Sequence, residues 1–207
     1  MTSMNLGRIL PEPPPPPRLE GHRFSLVPLM PSHYHALYEL SVNEIASFRW
    51  RYHGGIPPYQ VFEQTLYHNV LVQFAIVSRQ DPTQLAGLAV AYNASFQDGH
   101  TYVAAVSDRR LGVGTLEGIV LLLGYVFAQW PFRKVYIEAP EFNLGQFNSA
   151  IESGLLKEEG RLLGDRYYSD QYWDLVTFAL YRESAEAFVN STPGLFREPV
   201  TTGTGAK

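Results

Sequence analysis

Cysteine is missing from all 207 residues. Its absence excludes disulfides, thiolate metal sites and a cysteine nucleophile together, and it suits a reducing compartment. A basic excess is missing too. Sixteen Lys and Arg stand against 20 Asp and Glu, for a net charge of −4, so nothing is present to grip a nucleic-acid backbone. The longest apolar run, 119–123, extends with small residues only to about residue 128, well short of the ~20 residues that cross a bilayer. No apolar stretch follows the first residues as a signal peptide requires. Of the six histidines only His33 and His35 lie close together, and on a helix they face different ways. No metal site is expected. Neither Gly-x-Ser-x-Gly nor a Ser/His/Asp order stands out, which leaves hydrolase chemistry without support. The expectation is a cytoplasmic protein that binds no nucleic acid and no membrane.

What is present reads as one domain between two tails. Residues 1–20 carry five consecutive prolines at 13–17 and read as a disordered or semi-rigid lead-in. Residues 21–183 form the domain, and 184–207 read as a flexible tail. A strand is expected over 22–27. A helix follows Pro31, with Ser32 as N-cap and Tyr34, Leu37, Tyr38 and Ser41 in phase. The segment 48–59 is a loop by its glycines and prolines. It holds Arg49, Trp50, Arg51 and Tyr52, flat apolar faces and planar charge suited to a binding mouth or to plugging the core edge. A helix is expected over 59–70.

Strands at 73–78 and 84–93, joined by a turn at 79–83, make a hairpin. A third strand, 101–106, feeds Arg109, Arg110, Leu111, Gly112, Val113, Gly114 and Thr115. A strongly apolar helix over 115–129 leaves that stretch, with Glu117 as its single charge. Strand, glycine-bearing turn and helix present unpaired backbone N–H groups and the positive end of a helix dipole to an anion. Gly118 and Gly124 within the helix would let a neighbour approach closely. A strand at 135–139 follows, so a parallel, right-handed crossover is expected. A helix then runs to Gly154, its C-terminal cap. Strands at 160–168 and 172–181 close the domain.

This order, with Arg109-x-x-Gly112-x-Gly114 at the turn, resembles the GCN5-related N-acetyltransferase (GNAT) superfamily over about residues 20–183. Asn143 followed eleven residues later by Gly154–Leu155, the Glu158–Glu159–Gly160–Arg161 run and Tyr172–Trp173–Asp174 look most like its ribosomal-protein-alanine acetyltransferase-like group. The resemblance implies a single α+β domain: a mixed, mostly antiparallel sheet, a central parallel strand pair splayed to admit the cofactor, and helices on both faces.

It also implies transfer of an acetyl group from acetyl-CoA to a primary amine of a small molecule or a peptide N-terminus. The pyrophosphate would sit on residues 111–115, with Arg109 and Arg110 adding charge. The pantetheine would lie along Ala104, Ala105 and Val106, with Asn143 reaching it from the other side and Gln146 nearby. A backbone N–H near Ala105 or Val106 would face the thioester oxygen. Glu138 is the candidate base, the alternative being a solvent-facing carboxylate. The acceptor would lie over Arg49, Trp50, Arg51 and Tyr52. Many members carry a tyrosine acid four residues before the glycine, where this chain has Ala150. That departure leaves two further readings: a protein that binds acyl-CoA with little catalysis, or an acyltransferase using a longer acyl chain, with Gly118, Gly124 and Ala150 making room. Family habit allows a homodimer.

Overall fold

The computed structural model describes residues 18–43, 51–108 and 114–191. Eight strands form one sheet in the order β1-β2-β3-β4-β5-β6-β8-β7. The strands are β1 Leu19–Glu20, β2 Phe24–Pro28, β3 Val70–Ser78, β4 Leu85–Ser95, β5 His100–Ser107, β6 Lys134–Pro140, β7 Lys157–Tyr168 and β8 Gln171–Tyr181. The helices are α1 Pro31–Ser41, α2 Tyr59–Thr65, α3 Gly114–Gln129, α4 Asn148–Glu152 and α5 Arg182–Ser191, with a 3-10 helix at Glu141–Phe147. β5 and β6 are the parallel pair and every other neighbour is antiparallel. The α+β architecture and its parallel crossover are as the sequence pattern implied.

Alternation along the central strands builds a core on each face of the sheet. Phe74 and Ile76 of β3, Val103 of β5, Val135 of β6 and Val176 and Phe178 of β8 face α3, whose Leu121, Leu122 and Val126 pack onto them. The opposite parity, Ala75 and Val77 with Leu88, Val90 and Val106, packs under Leu37 of α1 and Phe62 of α2. Helices therefore cover both faces. Gly118 earns its place in α3: a Cβ there would stand 2.6 Å from Ile76 Cδ1. Gly124 has nothing within 4 Å of its Cβ position, so the expected close approach is made by Gly118 and not by Gly124.

Glu117, the one charge of α3, is buried, and its Oε1 accepts from the N–H of Arg23 at 2.9 Å and of Phe24 at 3.2 Å. Paired in this way, a buried carboxylate ties the helix to the start of β2.

Several boundaries differ from expectation. The N-cap of α1 is Met30, and Ser32 lies inside the helix, because Pro31 already supplies the first helical φ. The helix expected over 59–70 stops at Thr65, and Val70 opens β3. β7 begins at Lys157, three residues early. The helix expected to end at Gly154 is a 3-10 segment followed by the short α4, and Gly154 does cap it at φ +72°. The flexible tail expected from 184 is helical to Ser191. Arg182 is the reason: its guanidinium donates to the carbonyls of Phe127, Trp130 and Phe132 at 2.7, 2.6 and 2.8 Å, joining the end of α3 to the start of α5, and Ala185 is buried.

An ion pair made by a buried lysine clamps the last three strands. Lys134 on β6 meets Glu159 on β7, and Glu159 also accepts from Tyr136 at 2.9 Å and from Tyr181. Glu159 is the extra residue of a bulge between Glu158 and Gly160, which re-aims its side chain. Burial pushes its carboxyl up, but the bonds from Lys134, Tyr181 and Tyr136 outweigh this and hold it at about 2, against an ordinary 4.5. A carboxylate depressed by folding contributes stability that is fully present above its ordinary value and is lost as pH falls through the depressed one. Urea midpoints measured from pH 5 down to pH 2 should therefore fall more steeply in the natural protein than in Glu159→Gln, which should start less stable at pH 5.

Candidate functional site

β5 and β6 pair only over His100–Tyr102 and Lys134–Tyr136. Beyond that point β5 stays with β4 as far as Ser107, and β6 stays with β8 as far as Pro140. The two strands part, leaving an opening at their C-terminal ends. Asp108 N–H donates to Ala86 O at 2.9 Å, so antiparallel alternation turns Val106 and Ala104 toward β4 and turns the backbone of Ala105 to the side that β6 has left. α3 begins at Gly114, after the end of β5. Of the expected anion loop, Arg109, Arg110, Leu111, Gly112 and Val113 lie outside the described residues, and of Gly114 and Thr115 only the helical backbone is described. Arg49 and Trp50 also lie outside them.

A cavity of about 270 Å³ lies on the α1/α2 face of the sheet, beside this opening. Ala104 of β5 and Glu138 of β6 form part of its wall. Arg51 and His53 reach it from the segment after α1, and Arg166 and Leu175 reach it from the last hairpin. Gln73 of β3 and Val90 of β4 also line it.

Glu138 therefore stands in a cleft. Burial pushes its carboxyl above the ordinary range, Arg166 opposes the rise, and Asp165 adds to it. Burial and the charge of Arg166 pull His53 down, against Asp165, which favours a neutral imidazole. His53 has φ +47°, an uncommon conformation that the surrounding structure must hold. Arg166 pairs with its neighbour Asp165.

Four buried side-chain atoms have no hydrogen-bond partner among the described residues: Ser25 Oγ, both polar atoms of Gln73, and Arg166 Nε. Three of the four belong to residues that line this cavity. Each unmet buried group costs about 1–3 kcal/mol, so their collection at one place marks it as built for a polar guest.

Among the residues predicted from sequence, Glu138, Ala104 and Arg51 come together here. The Arg51 guanidinium is occupied, however, by the carbonyls of Thr65 and, at 3.4 Å, Leu66 at the end of α2. Tyr52 turns away from the cavity: its hydroxyl lies 3.2 Å from Thr65 Oγ1 and its ring packs near Phe62. Asn143 is half-buried and Gln146 exposed on the 3-10 helix that follows β6. Ala150 packs against the core, and no acid stands at that position. Sequence reasoning passed over Gln73, His53, His68, Tyr92 and Arg166, which all line the cavity. Gln73 carried a usable signal: it is polar at the same parity as buried Ala75 and Val77.

The landmarks at the chain's end hold the hairpin that walls the site. Arg161 bonds Glu158 through two nitrogens and Asp174 through a third contact of 3.1 Å, and Asp174 accepts from Gly164 N–H. Trp173 Nε1 donates to Tyr168 O at 2.9 Å, and the Phe142 ring lies tilted against Tyr168 and edge-on to Trp173.

No family model matches the sequence, and no curated protein matches it. Solved structures do match the fold. The spermidine N-acetyltransferase of Vibrio cholerae, in complex with CoA and spermine, superposes with a TM-score of 0.67 at 15% identity, over 79% of this chain and 98% of that one. A GCN5-related N-acetyltransferase from Brucella melitensis gives 0.63 at 20% identity, over 86% of each chain. The chain has the fold of the GNAT acetyltransferases.

Carboxyl-selective NMR should find Glu138 titrating above an ordinary glutamate. Arg166→Met should raise it further, since the positive charge of Arg166 that opposes the rise is removed while Asp165 stays.

Proposed function

We propose that this protein is an acyl-CoA-dependent N-acetyltransferase acting on a primary amine. The observation that carries the reading is the parting of β5 and β6 beside a cavity that holds Glu138. The chain's residues fit coenzyme A: small Ala104 and Ala105 border the opening, the Ala105 backbone faces it, and a 16-residue helix starts beyond it. The backbone of 111–115 and the guanidinium groups of Arg109 and Arg110 would hold the pyrophosphate, and Asn143 and Gln146 would flank the pantetheine. Bound acetyl-CoA supplies an acetyl thioester as electrophile.

The protein's own part is to make the amine a nucleophile and to receive charge. Glu138 takes the proton from the amine, and its raised pKa brings it toward the range where a carboxylate works as a base. The Ala105 N–H donates to the carbonyl oxygen as negative charge gathers there, a reading supported by the side to which its backbone turns. The solved Vibrio cholerae complex with spermine supports an amine as the acceptor class. The ribosomal-protein-alanine acetyltransferase-like group remains the finer reading, supported by Asn143, Gly154–Leu155 and the Arg161–Asp174 pairing.

Ala150 supports a second reading, in which the protein binds acyl-CoA with little turnover. A longer acyl chain gains no room at Gly118, where Ile76 already fills the space.

Calorimetry with acetyl-CoA tests the fold-level claim, and the absence of binding at millimolar cofactor would remove it. Thiol release over an amine panel then separates the enzyme from the binder. Glu138→Gln should lower kcat by about 10²–10⁴-fold while leaving CoA binding intact. The natural enzyme's rate should rise with pH through the Glu138 titration, and that limb should vanish in the variant.

A further inference from the structure

We infer that Gln73 reads a carboxamide on the acceptor, so that the substrate class is amines that also carry an amide group. The amine half of this statement rests on the acyl-transfer reading above; the amide half stands on Gln73 alone.

Gln73 is only 7% exposed, yet its Oε1 and Nε2 both lack a partner among the described residues. It lines the same cavity as Glu138. Its strand neighbours of the same parity, Ala75 and Val77, and its cross-strand partner Val90 are apolar, so none of these three completes it. A buried carboxamide offers an acceptor and donors side by side. A guest carboxylate only accepts, and would leave Oε1 unmet. An ammonium only donates, and would leave Nε2 unmet. A hydroxyl can both donate and accept, but from a single oxygen, which cannot meet Oε1 and Nε2 together with good angles. A carboxamide presents C=O and N–H together and meets both.

Charge points the same way. A polyamine would carry several positive charges into a cavity whose described lining already holds Arg51 and Arg166 and has Glu138 as its carboxylate. An amino amide brings one cation for Glu138 and a neutral group for Gln73. Arg166 Nε, buried and without a partner among the described residues, is a further donor for the amide oxygen.

The test uses the full chain with ω-amino carboxamides of increasing length and the methyl esters of the same lengths, which lack the N–H. Calorimetry should show the best amide binding about tenfold tighter than its ester, and thiol release should follow the same order. Gln73→Met keeps the volume and removes the unmet polar atoms. Its melting temperature should equal or exceed that of the natural protein, and its amide-to-ester ratio should fall to about one. Equal binding of amide and ester by the natural protein would overturn the inference. So would a Gln73→Met variant that melts earlier and keeps the preference, the mark of a purely structural residue. Amide-selective binding without thiol release would uphold Gln73 and defeat the acyl-transfer reading. Thiol release from acetyl-CoA at equal rates with the amide and with the ester as acceptor would do the reverse.

Discussion

The fork between β5 and β6 is the constraint on which the rest of the molecule depends. Each strand is paired on its outer side, β5 with β4 apart from one irregularity between Tyr92 and Ser95, and β6 with β8 from Lys134 to Pro140. Their mutual pairing lasts three residues and then ends. His100, Tyr102 and Tyr136 sit at the crotch with ring centroids 5.1–6.1 Å apart, a wedge of aromatic surface where the two half-sheets meet. Past it, backbone groups that a continuous sheet would pair are turned toward an opening. The cavity lies beside that opening.

The distribution of buried polar groups tells the same story from the other side. Away from the cavity they are answered: Glu117 by two backbone amides, Lys134 by Glu159, Ser41 by the carbonyl of Leu37. Ser25 is the exception. At the cavity, Gln73 and Arg166 are left open, and Glu138 is pushed toward its neutral form. Three of the four unmet buried side-chain atoms among the described residues thus belong to residues of one cleft, and buried polar groups ordinarily find a partner.

The last hairpin and α5 make the cleft stable. The Lys134–Glu159 pair, the Arg161–Glu158–Asp174 cluster and the three carbonyls gathered by Arg182 fasten β6, β7, β8 and α5 to one another. Arg166 and Leu175 reach the cavity from that anchored hairpin. One wall of the site therefore depends on ion pairs that lie outside it.

Much of this was legible in the chain. Period-two and period-3.6 patterning located the long strands and α3, because a strand or helix with one buried face writes its geometry into the spacing of apolar residues. Gly154 announced a helix end because only a residue tolerant of positive φ stops a helix that way. Glu138 could be named as a candidate from its place on the fifth long strand. The sequence by itself determined these elements, their order and the strand–helix–strand crossover. Only the tertiary structure decided where β5 and β6 part, that Arg51 and Tyr52 serve α2, that the segment from 184 to 191 is a helix, and that Gln73 faces Glu138's cavity. The reason is physical: periodicity reports which face of an element is buried, whereas unmet hydrogen bonds, shifted protonation and the pairing of Arg182 with distant carbonyls arise from neighbours dozens of residues away.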